Sequence, residues 1–212
     1  MATVPLLELQ NLAFEREDCP LFEGLSERLF AGDALQISGP NGCGKTTLLH
    51  MLTTLNAPSY GRILWRGEDT RRSASYLANQ AFIGHQPGLK LALSPRENML
   101  WCTRLYNLSA QVDIDTALDQ VGLSACKDMP CRTLSVGQLR RVALTMLHLR
   151  DASLWLLDEP LTALDKEAVA DLESLFRTHL SAGGIIIFSS HQALSIEGVR
   201  HLPLADYAAS VH

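Results

Sequence analysis

Short apolar runs alternate along the chain with longer segments of helical period. "ALQISG" (34–39) precedes "KTTLLHMLTTL" (45–55), and "SLWLLDEP" (153–160) precedes "DKEAVADLESLFRTHL" (165–180). "ILW", "AFIG" and "GIIIFSSH" supply further short runs. Strands alternating with helices predict an α/β fold with a mainly parallel sheet covered by helices. "SLWLL" and "GIIIF" are almost wholly apolar, as strands buried on both faces are. Nearer the start, "LLELQNLAF" (6–14) and "LSERLF" (25–30) alternate apolar with polar positions, which predicts a small antiparallel sheet with one solvated face.

From about residue 91 to about 150 the period changes to that of successive helices, "SPRENMLWCTRLYNL" (94–108), "VDIDTALDQVG" (112–122) and "VGQLRRVALTMLHL" (136–149), with no convincing strand among them. Ser94-Pro95 followed by Glu97 forms a helix start, and Gly122 a helix stop. A helical subdomain inserted into the sheet domain is therefore expected.

Composition narrows the classes. With 212 residues, 47% of them hydrophobic, the chain can bury one sizeable core. A net charge of −5 with 19% charged residues leaves no basic stripe for a nucleic-acid backbone, so no nucleic-acid partner is expected. No window approaches the roughly 20 apolar residues of a membrane span, and the first residues turn acidic too early for a signal peptide, so the chain is expected to stay in the cytoplasm. Five cysteines without a C-x-x-C pair suit a reducing compartment, and Cys126 with Cys131 lacks the short spacings of a metal site.

Three stretches carry chemistry. "GPNGCGKTT" (Gly39, Pro40, Asn41, Gly42, Cys43, Gly44, Lys45, Thr46, Thr47) fits G-x-x-x-x-G-K-[ST] between a predicted strand and a predicted helix. Its glycines turn backbone N–H groups toward phosphate oxygens, Lys45 reaches the β- and γ-phosphates, and the Thr46 hydroxyl takes a Mg²⁺ position. "LWLLDEP" ends a buried strand in Asp158 and Glu159, which should point to opposite sides, Asp158 toward Mg²⁺ and Glu159 toward an attacking water. "LSVGQ" (134–138) places Ser135 as a helix cap, with Val136, Gly137 and Gln138 completing a second anion-ready helix start. Two phosphate sites, of which one has a lysine and metal ligands, suggest a head-to-tail homodimer in which one chain's "LSVGQ" closes over its partner's nucleotide.

"GPNGCGKTT", "LSVGQ", "LWLLDEP", "LTALD" (161–165) and "SSH" (189–191), in this order over nearly the whole chain, resemble the ATP-binding cassette family. The resemblance implies a P-loop ATPase domain over residues 1–212. Its core and antiparallel β subdomain would take 1–90 and 151–212, and its helical signature subdomain about 91–150. ATP and Mg²⁺ are its implied cofactors. By the same resemblance Asp165 looks like a residue communicating across the dimer, His191 like the switch histidine that contacts γ-phosphate, and Gln86 in "FIGHQPGLK" (82–90) like the amide that reaches Mg²⁺ and the attacking water. Most members stack adenine on an aromatic residue of the first strand region; here Arg16 falls at that position and Phe14 two residues earlier. An Arg plane can stack on a base, so Arg16 is expected to do so.

"IGHQPGLK", "LSVGQLRRVAL", "LDEPLTALD" and "HQAL", in a short chain that ends soon after the histidine, are most similar to the ATPase subunits of cytochrome c maturation, also called haem exporters. Val136 and Leu139 depart from that subfamily, which more usually shows Ala and Gln there. The resemblance implies a peripheral ATPase on the cytoplasmic face of the inner membrane, bound to an integral permease that docks near "LKLALSPREN" (89–98). Its cargo stays open between haem and release of a haem-loaded carrier protein. With no C-x-x-C-H or paired-ligand pattern, direct haem binding by this chain is not expected. The alternatives are an exporter of lipid, polysaccharide or drug, and a soluble cassette ATPase. A small-molecule kinase would need neither "LSVGQ" nor a Glu after the metal Asp.

Overall fold

In the computed structural model, residues 4–16, 19–106 and 113–208 are described. β1 (Leu7–Arg16) and β2 (Cys19–Leu29) form a hairpin, to which β4 (Tyr60–Trp65) and the two-residue β5 (Glu68–Asp69) add in the order β2-β1-β4-β5, all antiparallel. Leu7 stands opposite Leu29 on one side and Trp65 on the other, so the apolar positions of all three strands share one face. That face supplies much of one core, which includes Leu7, Leu9, Phe22, Ile63 and Trp65.

The second sheet is parallel throughout, in the order β6 (Gln80–Ile83), β7 (Leu154–Asp158), β8 (Ile185–Ser189), β3 (Ala34–Ser38) and β9 (Val199–Pro203). Its central strands are buried at every residue, and the side-chain period of two divides them between two cores. Leu154, Leu156, Ile185 and Ile187 face the antiparallel sheet together with Leu48, Leu49 and Leu52 of α1 (Lys45–Leu52). Trp155, Leu157, Ile186 and Phe188 face the opposite side, against Leu172 and Phe176 of α6 (Lys166–Ser181).

Between β6 and β7 run α3 (Pro95–Leu105), α4 (Ile114–Gln120) and α5 (Val136–Leu149), with no strand among the described residues there. Ser94 and Glu97 close the capping box that their spacing predicts, and Gly122 follows α4 at φ 70°. The end of the first predicted helix (Asn107, Leu108) and the start of the second (Val112) lie outside the described residues. α5 binds the two parts together. Its Ala143, Leu144 and Leu147 enter the core beneath the parallel sheet, whereas Val142 and Leu149 join Met99, Leu118 and Leu123 in a separate helical core. The short α2 (Ala74–Ala78), β5 and β9 are additions to the pattern expected from the sequence.

Candidate functional site

Residues 39–44 link β3 to α1 at the C-terminal edge of the parallel sheet. Gly44 caps α1 at φ 102°, in the left-handed region, and a Cβ there would stand 3.2 Å from Phe22 Cδ1. No side chain caps this helix, so its first-turn N–H groups remain available to an anion. Lys45 is nearly buried, and its ammonium donates to the carbonyls of Gly39 at 2.8 Å and Pro40 at 3.2 Å, which hold it over the loop. Cys43 packs half-buried against the core beneath.

The acid pair meets this loop from β7. Thr46 Oγ1 donates to Asp158 Oδ2 at 2.8 Å, and the buried Ser189 hydroxyl, at the end of β8, donates to Asp158 Oδ1 at 2.6 Å. Ser189 Oγ in turn accepts from the Glu159 N–H at 2.9 Å. A hydroxyl and a carboxylate oxygen side by side form a hard-oxygen pair of the kind that binds Mg²⁺ beside a phosphate chain. His191 completes the wall, with Nε2 3.2 Å from Asn41 Oδ1 and 3.6 Å from Glu159 Oε1.

One expectation needs correction here. Asp158 and Glu159 do not point to opposite sides; both line one cleft of about 500 Å³, together with Arg16, Asn41, Gly42, Lys45, Thr46, Thr47 and His191. β7 ends at Asp158, and Glu159 adopts φ 50°, so the alternation of a strand no longer applies to it. A non-glycine residue held in that region costs about 1–2 kcal/mol, which its surroundings must offset. Gln86 differs too: it is exposed and is not among the residues that line the cleft, where its neighbour His85 stands instead.

Sequence reasoning missed other residues around the site, among them His85, Thr162 and Gln36. His85 and Thr162 enter the wall from loops whose convergence depends on the fold. Gln36, in the middle of β3, is buried and donates from Nε2 to the carbonyls of Ser190 at 3.0 Å and Gln192 at 3.2 Å, the two residues that flank His191. A polar residue inside the apolar run "ALQISG" was its signal, since a buried amide needs partners.

The "LSVGQ" segment forms the start of α5. Ser135 Oγ accepts from the Gln138 N–H at 3.2 Å and Gln138 Oε1 accepts from the Ser135 N–H at 2.8 Å, a complete capping box. Gly137 is required by close approach, because a Cβ there would lie 2.6 Å from the Ala163 carbonyl oxygen. Asp165 accepts from the Ala168 N–H at 2.9 Å as the cap of α6, and its other oxygen is paired with Arg141. Both oxygens of Asp165 are thus engaged within its own chain. None of Ser135, Val136, Gly137 and Gln138 lines the cleft, and Val136 is 69% exposed.

Comparison with known proteins agrees with this arrangement. The ABC transporter family model matches residues 22–162. The cytochrome c biogenesis ATP-binding export protein CcmA of Pseudomonas syringae pv. tomato is 44% identical over 207 residues, covering 97% of this chain and 98% of its own. The protein of the same name from Yersinia pestis is 44% identical over 204 residues, covering 95% and 94%. A solved Pyrococcus furiosus structure described as an ABC transporter ATP-binding protein superimposes with a TM-score of 0.81 at 25% identity, over 96% of this chain and 99% of its own. The chain therefore belongs to the ABC transporter ATP-binding family and, within it, to the cytochrome c biogenesis ATP-binding export proteins.

Proposed function

We propose that this ATPase works in c-type cytochrome biogenesis as the energy-coupling subunit of a membrane complex that exports haem or releases a haem-loaded carrier. The near-full-length likeness to cytochrome c biogenesis export ATPases carries the reading, and the cleft supports it with a phosphate loop, an acid pair and His191 together. In this reading the α1 N–H groups and Lys45 bind the phosphates. Thr46 and Asp158 would hold a Mg²⁺ ion, which when bound neutralises phosphate charge. Glu159 takes the proton of the attacking water, and His191, within reach of both Glu159 and Asn41, faces the γ-phosphate. Gln86 reaches the site when the loop after β6 closes.

Among the described residues no helix is long and apolar enough to cross a membrane. Attachment to an integral permease on the cytoplasmic face of the inner membrane accounts for the exposed apolar side chains of Leu91, Leu100, Trp101 and Leu105 on the helical subdomain. Cells lacking this chain are expected to lose the covalently haem-stained bands of c-type cytochromes while keeping b-type haem proteins. Normal c-type bands in its absence would refute the role.

Arg16 is proposed as the adenine platform, because it lines the cleft whereas Phe14 packs half-buried against the core. Arg16→Ala is expected to weaken ATP affinity about threefold to tenfold by loss of cation–π stacking. Phe14→Ala should lower the melting temperature and leave affinity unchanged. The reverse result in a nucleotide titration would move the platform to Phe14.

A further inference from the structure

Arg140 lies on α5, two residues after the "LSVGQ" segment, and is only 4% exposed. Buried arginines ordinarily face a carboxylate, but the partners described for this guanidinium are all backbone carbonyls. Nη1 donates to Gly84 at 2.8 Å, Nη2 to both Asp158 and Glu159, and Nε to Pro160 at 3.4 Å. These carbonyls come from the C-terminal ends of two neighbouring strands and the turns that follow them. β6 and β7 run parallel, with Ile83 beside Leu157, so Gly84 and Asp158 are the next pair, where the two strands part. Beyond them one chain leads to Gln86 and the other turns through Glu159.

In an extended strand successive carbonyls point to opposite sides; the left-handed turn at Glu159 lets those of residues 158 and 159 reach one guanidinium. Burial opposes the charge and pulls its pKa down, and the nearby charges of Asp158 and Glu159 offset this only in part. The rigid planar fork carries five donors at fixed angles, so it can hold four separated carbonyls in one arrangement, whereas a compact ammonium has three donors and no fixed fork.

We propose that Arg140 is a positioning residue for hydrolysis. It fixes the turned backbone that aims Glu159 into the cleft, and it ties that turn to Gly84 and to α5. The start of the Gln86 loop, the signature helix and the hydrolytic carboxylate then move as one body. This rests on the reading of Glu159 as the group that activates water. Because none of the hydrogen bonds described for the guanidinium goes to the phosphate loop, its loss should affect turnover and spare nucleotide binding.

The test uses Arg140→Met and Arg140→Lys in the assembled ATPase, with turnover, ATP affinity and melting temperature measured for each. Misplacement of a reacting group by about 1 Å costs about 10²-fold in rate, so Arg140→Met should lose about 10²-fold in kcat with ATP affinity within about threefold. Arg140→Lys, which keeps the charge and fills the same space, should restore the melting temperature but remain about tenfold slow. In a Glu159→Gln background the Lys substitution should have no further effect, because it acts through the missing carboxylate. A further tenfold loss there, or Arg140→Lys turning over at the wild-type rate, overturns the proposal. Near-normal turnover by Glu159→Gln alone would instead overturn the reading of Glu159 on which it rests.

Discussion

Glu159→Gln is expected to reduce ATP turnover by about 10³-fold while ATP binding persists. A positioned general base contributes roughly 10²–10⁴ in rate, and a loss of 10³ corresponds to about 4 kcal/mol of transition-state stabilisation. The amide keeps the size of the side chain and its exit from the turn at φ 50°, but it cannot take a proton. Binding depends on different atoms. Lys45 is held by Gly39 and Pro40, the α1 N–H groups by the backbone, and Thr46 by Asp158, none of which involves the Glu159 carboxylate. Removing a negative charge from the cleft should also tighten nucleotide binding. Phosphate release and equilibrium binding, measured on the same preparation, separate the two effects. Turnover within tenfold of wild type would show that the water is activated elsewhere, and His191, 3.6 Å from the carboxylate, would be the first group to examine.

Why Glu159 was recognisable as a candidate while its geometry was not illustrates how far the sequence carries. Long periodic segments translate directly: the run 136–149 is α5 residue for residue, and the apolar runs before "DEP" and "SSH" are the buried central strands β7 and β8. Motifs whose chemistry is local, such as the phosphate loop between β3 and α1, were equally legible. What escaped depends on tertiary context. β9, "VRHLP", has a single buried residue and is a strand because the open edge of β3 pairs with it. α2 has five residues, too few for a period to register. Arg140 and Arg141 are neighbours in one helical run, and nothing in that run separates them, yet the helix turns Arg140 into the gap between two strand ends and leaves Arg141 to meet Asp165. The expected divergence of Asp158 and Glu159 failed because strand alternation was carried one residue past the end of the strand.

Mixing Ser135→Arg chains with Lys45→Ala chains should restore activity that neither has alone. In a single chain the cleft has the lysine, the acid pair and His191 but no atom of the "LSVGQ" segment, whose helix start is exposed. If a second chain supplies that segment head to tail, each site combines Lys45 of one protomer with Ser135 of the other. A dimer of Ser135→Arg chains then has two blocked sites, and a dimer of Lys45→Ala chains two sites without the phosphate ligand. A mixed dimer keeps one site in which both residues are intact. With random pairing roughly one quarter of all sites are intact, and a single-turnover burst counts them directly. Loss of the Ser135 cap costs only about 1 kcal/mol, so the variant should fold and, as an isolated chain, bind ATP normally. The bulk and charge of Arg act at the interface alone. A mixture as inactive as its two parents would mean that Ser135 and Lys45 serve the same nucleotide from the same chain, which would require α5 to swing its N-terminus over its own cleft. That motion would break the contact at Gly137, where the helix lies too close to the Ala163 carbonyl to admit a Cβ, and the Arg141–Asp165 pair beside it. The intrachain packing thus opposes a one-chain site, because it holds the start of α5 away from its own cleft.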